Sequence, residues 1–101
     1  MSEFSRLTTM LVTPVLRHQG FIKHGAFDHS PTHDTACYHK GSLELSLTLA
    51  FHPYDYPEMG IRMQVRDADR ILFDRLHPPT EGGIEAMLQA VLKDIEASAV
   101  W

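Results

Sequence analysis

From Leu43 to Phe51 the chain alternates without a break: Leu43, Leu45, Leu47, Leu49 and Phe51 share one side, and Glu44, Ser46, Thr48 and Ala50 the other. A repeat of two residues belongs to a strand with one buried face, because successive side chains leave a pleated backbone in opposite directions. That strand obliges the rest of the chain to cover the leucine side and leave the other toward water. Just before it, Lys40-Gly41 forms a two-residue hairpin turn, with glycine supplying the positive φ. Pairing His39 with Ser42 then sets Tyr38 opposite Leu43, Ala36 opposite Leu45 and Cys37 opposite Glu44. Apolar residues share one face across both strands, as a consistent register requires.

Three further strands are predicted. Phe21 to Asp28 is interrupted by Gly25; Ile61 to Arg66 puts Ile61, Met63 and Val65 on one face and Arg62, Gln64 and Arg66 on the other. A polar turn at Asp67-Ala68-Asp69 leads into Ile71 to Leu76, whose inward face is ambiguous because Ile71 and Phe73 compete with Leu72 and Leu76. Pro78-Pro79 ends the sheet. Thr80 caps a final helix with the stripe Ile84, Met87, Leu88, Val91, Leu92, Ile95 and Ala99, leaving Glu85, Gln89, Lys93 and Glu96 outside. Burying its six large apolar side chains contributes on the order of 10–20 kcal/mol gross, which makes this helix part of the core.

Residues 4 to 18 place Phe4, Leu7, Leu11, Pro14, Val15 and His18 at intervals of three and four, one apolar stripe on a helix. Ser2 is its N-cap and Gly20 its stop. Pro14 removes a hydrogen bond to Met10, so the helix is expected to kink there, or to restart with Thr13 as cap. The order is helix, five strands, helix: an α+β fold with an antiparallel sheet.

At 101 residues, 44% hydrophobic and 22% charged, the chain holds enough apolar material for one core and too little for two, so residues 1–101 are expected to form one domain. Its single cysteine cannot form an internal disulfide. With no basic, apolar leader and no apolar run near the roughly 20 residues that span a bilayer, a reducing, cytoplasmic location and no membrane partner are expected. A formal charge of −4 argues against a nucleic-acid surface.

Seven histidines crowd the composition, and His29, His33, Cys37 and His39 fall within eleven residues. These are zinc ligand types, and Cys37 and His39 share a strand face with Glu44 in the expected register. The paired Cys-x-x-Cys spacing of structural zinc sites is absent, so the competing reading is a polar loop entering a solvated strand face, with no cofactor. Cys37 is also a candidate nucleophile if a histidine beside it carries charge. Residues two apart on a strand lie about 6 to 7 Å apart, too far for a direct hydrogen bond, which favours a structural, partly buried thiol. Tyr54 and Tyr56, between Pro53 and Pro57, could present a rigid aromatic patch to a partner or fold back on the sheet edge. Arg62, Arg66, Arg70 and Arg75 gather positive charge that could meet phosphate, though Asp67, Asp69 and Asp74 stand among them. Thr80-Glu81-Gly82-Gly83 lacks the lysine and spacing of a nucleotide loop.

The order of a short N-terminal helix and five consecutive strands resembles Sm-like domains, over about residues 3 to 76. Asp67-Ala68-Asp69-Arg70 stands where that family carries an Arg-Gly pair, and His52-Pro53-Tyr54 offers no Asp and Asn pair. The resemblance implies a strongly bent sheet and a ring-like or dimeric assembly, and it carries over no RNA-binding residue. Three functions follow as expectations. The first is a non-enzymatic, self-associating binding module using its sheet edges and the Tyr54 to Tyr56 loop. The second is a small metal- or thiol-dependent enzyme built on His29, His33, Cys37 and His39. The third is an RNA-binding Sm-like variant using Arg62 and Arg66.

Overall fold

A computed structural model describes residues 2–30, 33–50 and 60–98. The chain opens with a helical stretch of three parts: α1 (Glu3–Leu7), a π-helical turn (Thr8–Val12) and α2 (Thr13–His18). Ser2 is the N-cap as expected, its hydroxyl accepting the Ser5 N–H at 3.1 Å. Pro14 has no N–H to offer the Met10 carbonyl, and its ring crowds the preceding turn. The backbone answers by widening: the Thr13 N–H donates to the Thr8 carbonyl, five residues back. The helix therefore neither breaks nor restarts on a Thr13 cap, since Thr13 is itself helical at φ −54° and ψ −45°.

That extra residue displaces the apolar stripe by one position. After Phe4, Leu7 and Thr8, the fully buried residues are Val12 and Leu16, while Leu11 and Val15 are only partly covered and Pro14 and His18 are exposed. The even three-and-four spacing fails here because one added residue turns everything after it by about 100° around the axis. The helix closes at Gly20, whose φ is +97°. The Phe21 N–H bonds the Leu16 carbonyl and the Gly20 N–H the Arg17 carbonyl, the paired bonds of a Schellman cap.

Among the described residues six antiparallel segments follow: β1 (Ile22–Lys23), β2 (Asp28–His29), β3 (His33–Lys40), β4 (Leu43–Ala50), β5 (Gly60–Asp67) and β6 (Arg70–His77). They pair in the order β1, β3, β4, β5, β6, with β2 beside the other end of β3. The expected strand from Phe21 to Asp28 is thus two pieces, parted at 24–27 where Gly25 turns to φ +66°. In the central hairpin Lys40 pairs with Leu43, and Gly41 (φ +59°) and Ser42 make the turn. The register lies two residues from the expected one: Tyr38 faces Leu45, Ala36 faces Leu47, and Cys37 faces Ser46. A slip of two keeps every side chain on its face.

On β6 the pairing passes from Val65 with Phe73 to Arg66 with Ile71, leaving Leu72 as an added residue. This bulge resolves the ambiguous alternation by putting Phe73 inward and Ile71 outward. Helix α3 (Gly83–Ala97) buries Met87, Leu88, Val91, Leu92 and Ile95 against the sheet. Its N-cap is Gly82 with no side-chain cap; Thr80 contributes only its carbonyl, to the Gly83 N–H at 3.0 Å. The expected α+β fold is present: helices cover one sheet face, where Ala36, Tyr38, Leu45, Leu47, Ile61, Met63 and Val65 are fully buried. No described helix is long and apolar enough to cross a membrane.

Two backbone and core features set expected stabilities. The Thr8 hydroxyl is buried and has no hydrogen-bond partner among the described residues, so Thr8→Val is expected to stabilise the chain by about 1 kcal/mol in urea unfolding. Gly60 adopts φ +143°, and a Cβ there would lie 2.2 Å from the His77 carbonyl oxygen, so Gly60→Ala is expected to destabilise by about 1–3 kcal/mol or more.

Candidate functional site

With the helices on one side, no described element covers the other face of the sheet. Cross-strand partners share a face, so the register orders this surface into rows. The row nearest the two hairpin turns runs Ile22, His39, Glu44, Arg66, Ile71. Its two ends are exposed isoleucines, Ile22 at 73% and Ile71 at 55%. The next row holds Cys37, Ser46, Gln64 and Asp74, and the one after it Thr35, Thr48, Arg62 and Leu76.

The centre of the first row is polar and ordered. His39 Nε2 lies 3.2 Å from Glu44 Oε2, and the His24 ring stacks on His39 with centroids 4.2 Å apart and planes 12° from parallel. Arg66 stands directly opposite Glu44 in the register, yet among the described residues it forms no ion pair. His39, Glu44 and Arg66 line a groove of about 300 Å³ walled by Ser42 and Ala68 of the two turns. Ala68 has φ +53°, the one described non-glycine residue in that region.

Cys37 sits half-buried beside this row. Burial pushes its thiol above the ordinary value, and the negative charges of Glu44 and Asp28 push the same way against the opposing pull of Lys23. The thiol is therefore protonated at neutral pH, the opposite of what a nucleophile needs.

The four residues expected to offer metal ligands do not converge. His29 turns to Asp34, bonding its carboxylate through Nδ1, while Cys37 and His39 belong to the open face. His33 bonds the Ser30 hydroxyl through Nδ1 at 3.0 Å and lies four residues, about 13 Å, along β3 from Cys37. Among the described residues no three His, Cys, Asp or Glu side chains are grouped to hold a metal ion. Arg62 is engaged by Asp74 at 2.9 Å. Tyr54 and Tyr56 lie outside the described residues.

Sequence reasoning missed two carboxylate–histidine pairs. Asp34 is 3% exposed, on the inward side of β3 with Ala36 and Tyr38, and its parity with those two residues was the available signal. Asp94 on α3 accepts from His77 Nε2 and Arg75, both at 2.7 Å, tying β6 to the helix. Its position next to Ile95 and three after Val91 is the corresponding signal. His29 also borders a second groove, about 560 Å³, with Ser2, Ser5 and Phe27.

Comparison with protein-family models, with curated proteins and with solved structures gives no match.

The Cys37 environment makes a direct prediction: a mild thiol reagent at pH 7 labels the folded chain more slowly than the chain in denaturant. Because the folded thiol is raised, the stability linked to it is present below the ordinary thiol value and is lost as pH rises through the folded one. Equal labelling rates in the two states would contradict the burial argument.

Proposed function

We propose that the chain is a non-enzymatic binding module of the cytoplasm that self-associates through the free edge of β6. The observation that carries this reading is the asymmetry of the two sheet edges. Strand β6 runs eight residues, Arg70–His77, and no described strand pairs with its outer side. An unpaired row of N–H and C=O groups is a template for another strand, and exposed Ile71 adds apolar surface beside it. The opposite edge is interrupted at 24–27, where β1 and β2 offer only two residues each. Head-to-tail growth needs two matching edges, so pairing of β6 with itself about a two-fold axis is what remains, and it closes at a dimer. Exposed Arg70, Asp74 and Arg75 and the bulge at Leu72 oppose indiscriminate pairing. The Tyr54 and Tyr56 rings belong to the same proposal on the strength of the proline-bounded segment that holds them.

The enzymatic alternative has less support, because His29, His33, Cys37 and His39 are dispersed and the thiol is held protonated. The Sm-like RNA-binding variant would rest on Arg62, which is spent on Asp74, and on Arg66.

Light scattering and sedimentation test the proposal. The wild-type chain is expected to show twice the monomer mass at high concentration, and Ile71→Lys to shift it to monomer with an unchanged circular dichroism spectrum. A strict monomer at all concentrations removes self-association.

A further inference from the structure

Oppositely charged residues that face one another across two strands ordinarily pair. Glu44 and Arg66 do not: Glu44 turns instead to His39, and Arg66, a partly buried residue that lines the groove, has no carboxylate within 4.0 Å among the described residues. Five N–H donors in a planar fork are thus presented to the groove beside a carboxylate that is itself fixed in place. The stack of His24 on His39 holds the imidazole that orients Glu44.

The charge order selects the ligand. A phosphate brought to Arg66 would place two negative charges next to Glu44, which disfavours it. A single carboxylate fits the fork in bidentate fashion, and a donor on the neighbouring carbon reaches Glu44. The volume of about 300 Å³ lies at the small end of ligand sites, roughly 300–1,000 Å³. Exposed Ile71, the cross-strand neighbour of Arg66 at the rim of the groove, favours an apolar side chain.

We propose that this groove binds a free apolar α-amino acid, its carboxylate on Arg66 and its ammonium on Glu44. The charged contacts lie on β4 and β5, while Ile71 is shared with the β6 edge, so variants at Arg66 and Glu44 rather than at Ile71 separate this proposal from self-association.

Titration of the isotope-labelled full chain, followed by amide chemical shifts, tests it with three probes of one shape: leucine, 4-methylpentanoate, which lacks the ammonium, and leucinamide, which lacks the carboxylate. Leucine is expected to shift the amides of 41–44 and 66–68 and to bind at least about tenfold more tightly than either analogue, as a lost charge-assisted hydrogen bond requires. Arg66→Gln is expected to abolish leucine binding, and Glu44→Gln to reduce leucine to the level of 4-methylpentanoate. Both side chains lie on the open face, and thermal melting verifies that the variants fold. Equal binding of the three probes, no shift at those amides, or unchanged leucine binding in Arg66→Gln overturns the proposal. Sedimentation of the same variants, expected to match wild type, keeps this result separate from the fate of the β6 edge.

Discussion

One-sided burial of the sheet governs this molecule. Leu45, Leu47, Ile61, Met63 and Val65 are fully hidden, and each large apolar side chain contributes about 1.5–3 kcal/mol when removed from water. Only helices can cover that face here, and they come from the two ends of the chain. Phe4, Leu7, Val12 and Leu16 arrive from one and the stripe from Met87 to Ile95 from the other. Among the described residues no helix covers the opposite face, and its composition of Thr, Ser, Gln, Cys, His, Glu and Arg is what water allows. The open surface that carries the functional proposals is therefore a by-product of how the core is closed.

Pro14 shows how a local defect is turned to use. The π turn it provokes rotates the rest of the helix so that Val12 and Leu16 reach the core, and it brings the Thr13 hydroxyl to 2.8 Å from the Tyr38 phenol. Tyr38 is completely buried at the middle of β3, and burial pushes its phenol above the ordinary value while the Thr13 bond pulls it back. A buried hydroxyl without a partner is destabilising. The widened turn satisfies one such group and strands another, Thr8.

Among the described residues the buried ionisable groups of the sheet, Asp34 and His77, lie toward the two ends of one inward row, which runs His29, Asp34, Leu49, Ile61, His77. At one end the Asp34 carboxylate is buried and its histidine exposed; at the other Asp94 and His77 are both largely covered. Each pair fastens a short or outer strand to its neighbour: β2 to β3, and β6 to α3. Two of the histidines thus serve as partners of inward-facing carboxylates. On the other face Arg66 is partly buried without an ion pair among the described residues.

Much of the fold was legible in the order of residues because it depends on period. The alternation in β4 and β5, the three-and-four spacing in α3, the proline stop after His77 and the caps at Ser2 and Gly20 are local consequences of backbone geometry. The hairpin register was misjudged by two residues and the faces survived, since a strand repeats every two. The first helix was misjudged by one residue and the stripe did not survive, since a helix does not. What only the tertiary structure decided was partnership: that Glu44 pairs with His39 rather than Arg66, that Asp34 pairs with His29, that Leu72 bulges and that β6 is left at an edge. Residues distant in the chain set those outcomes through packing and desolvation, and neither force is written in the spacing of any one segment.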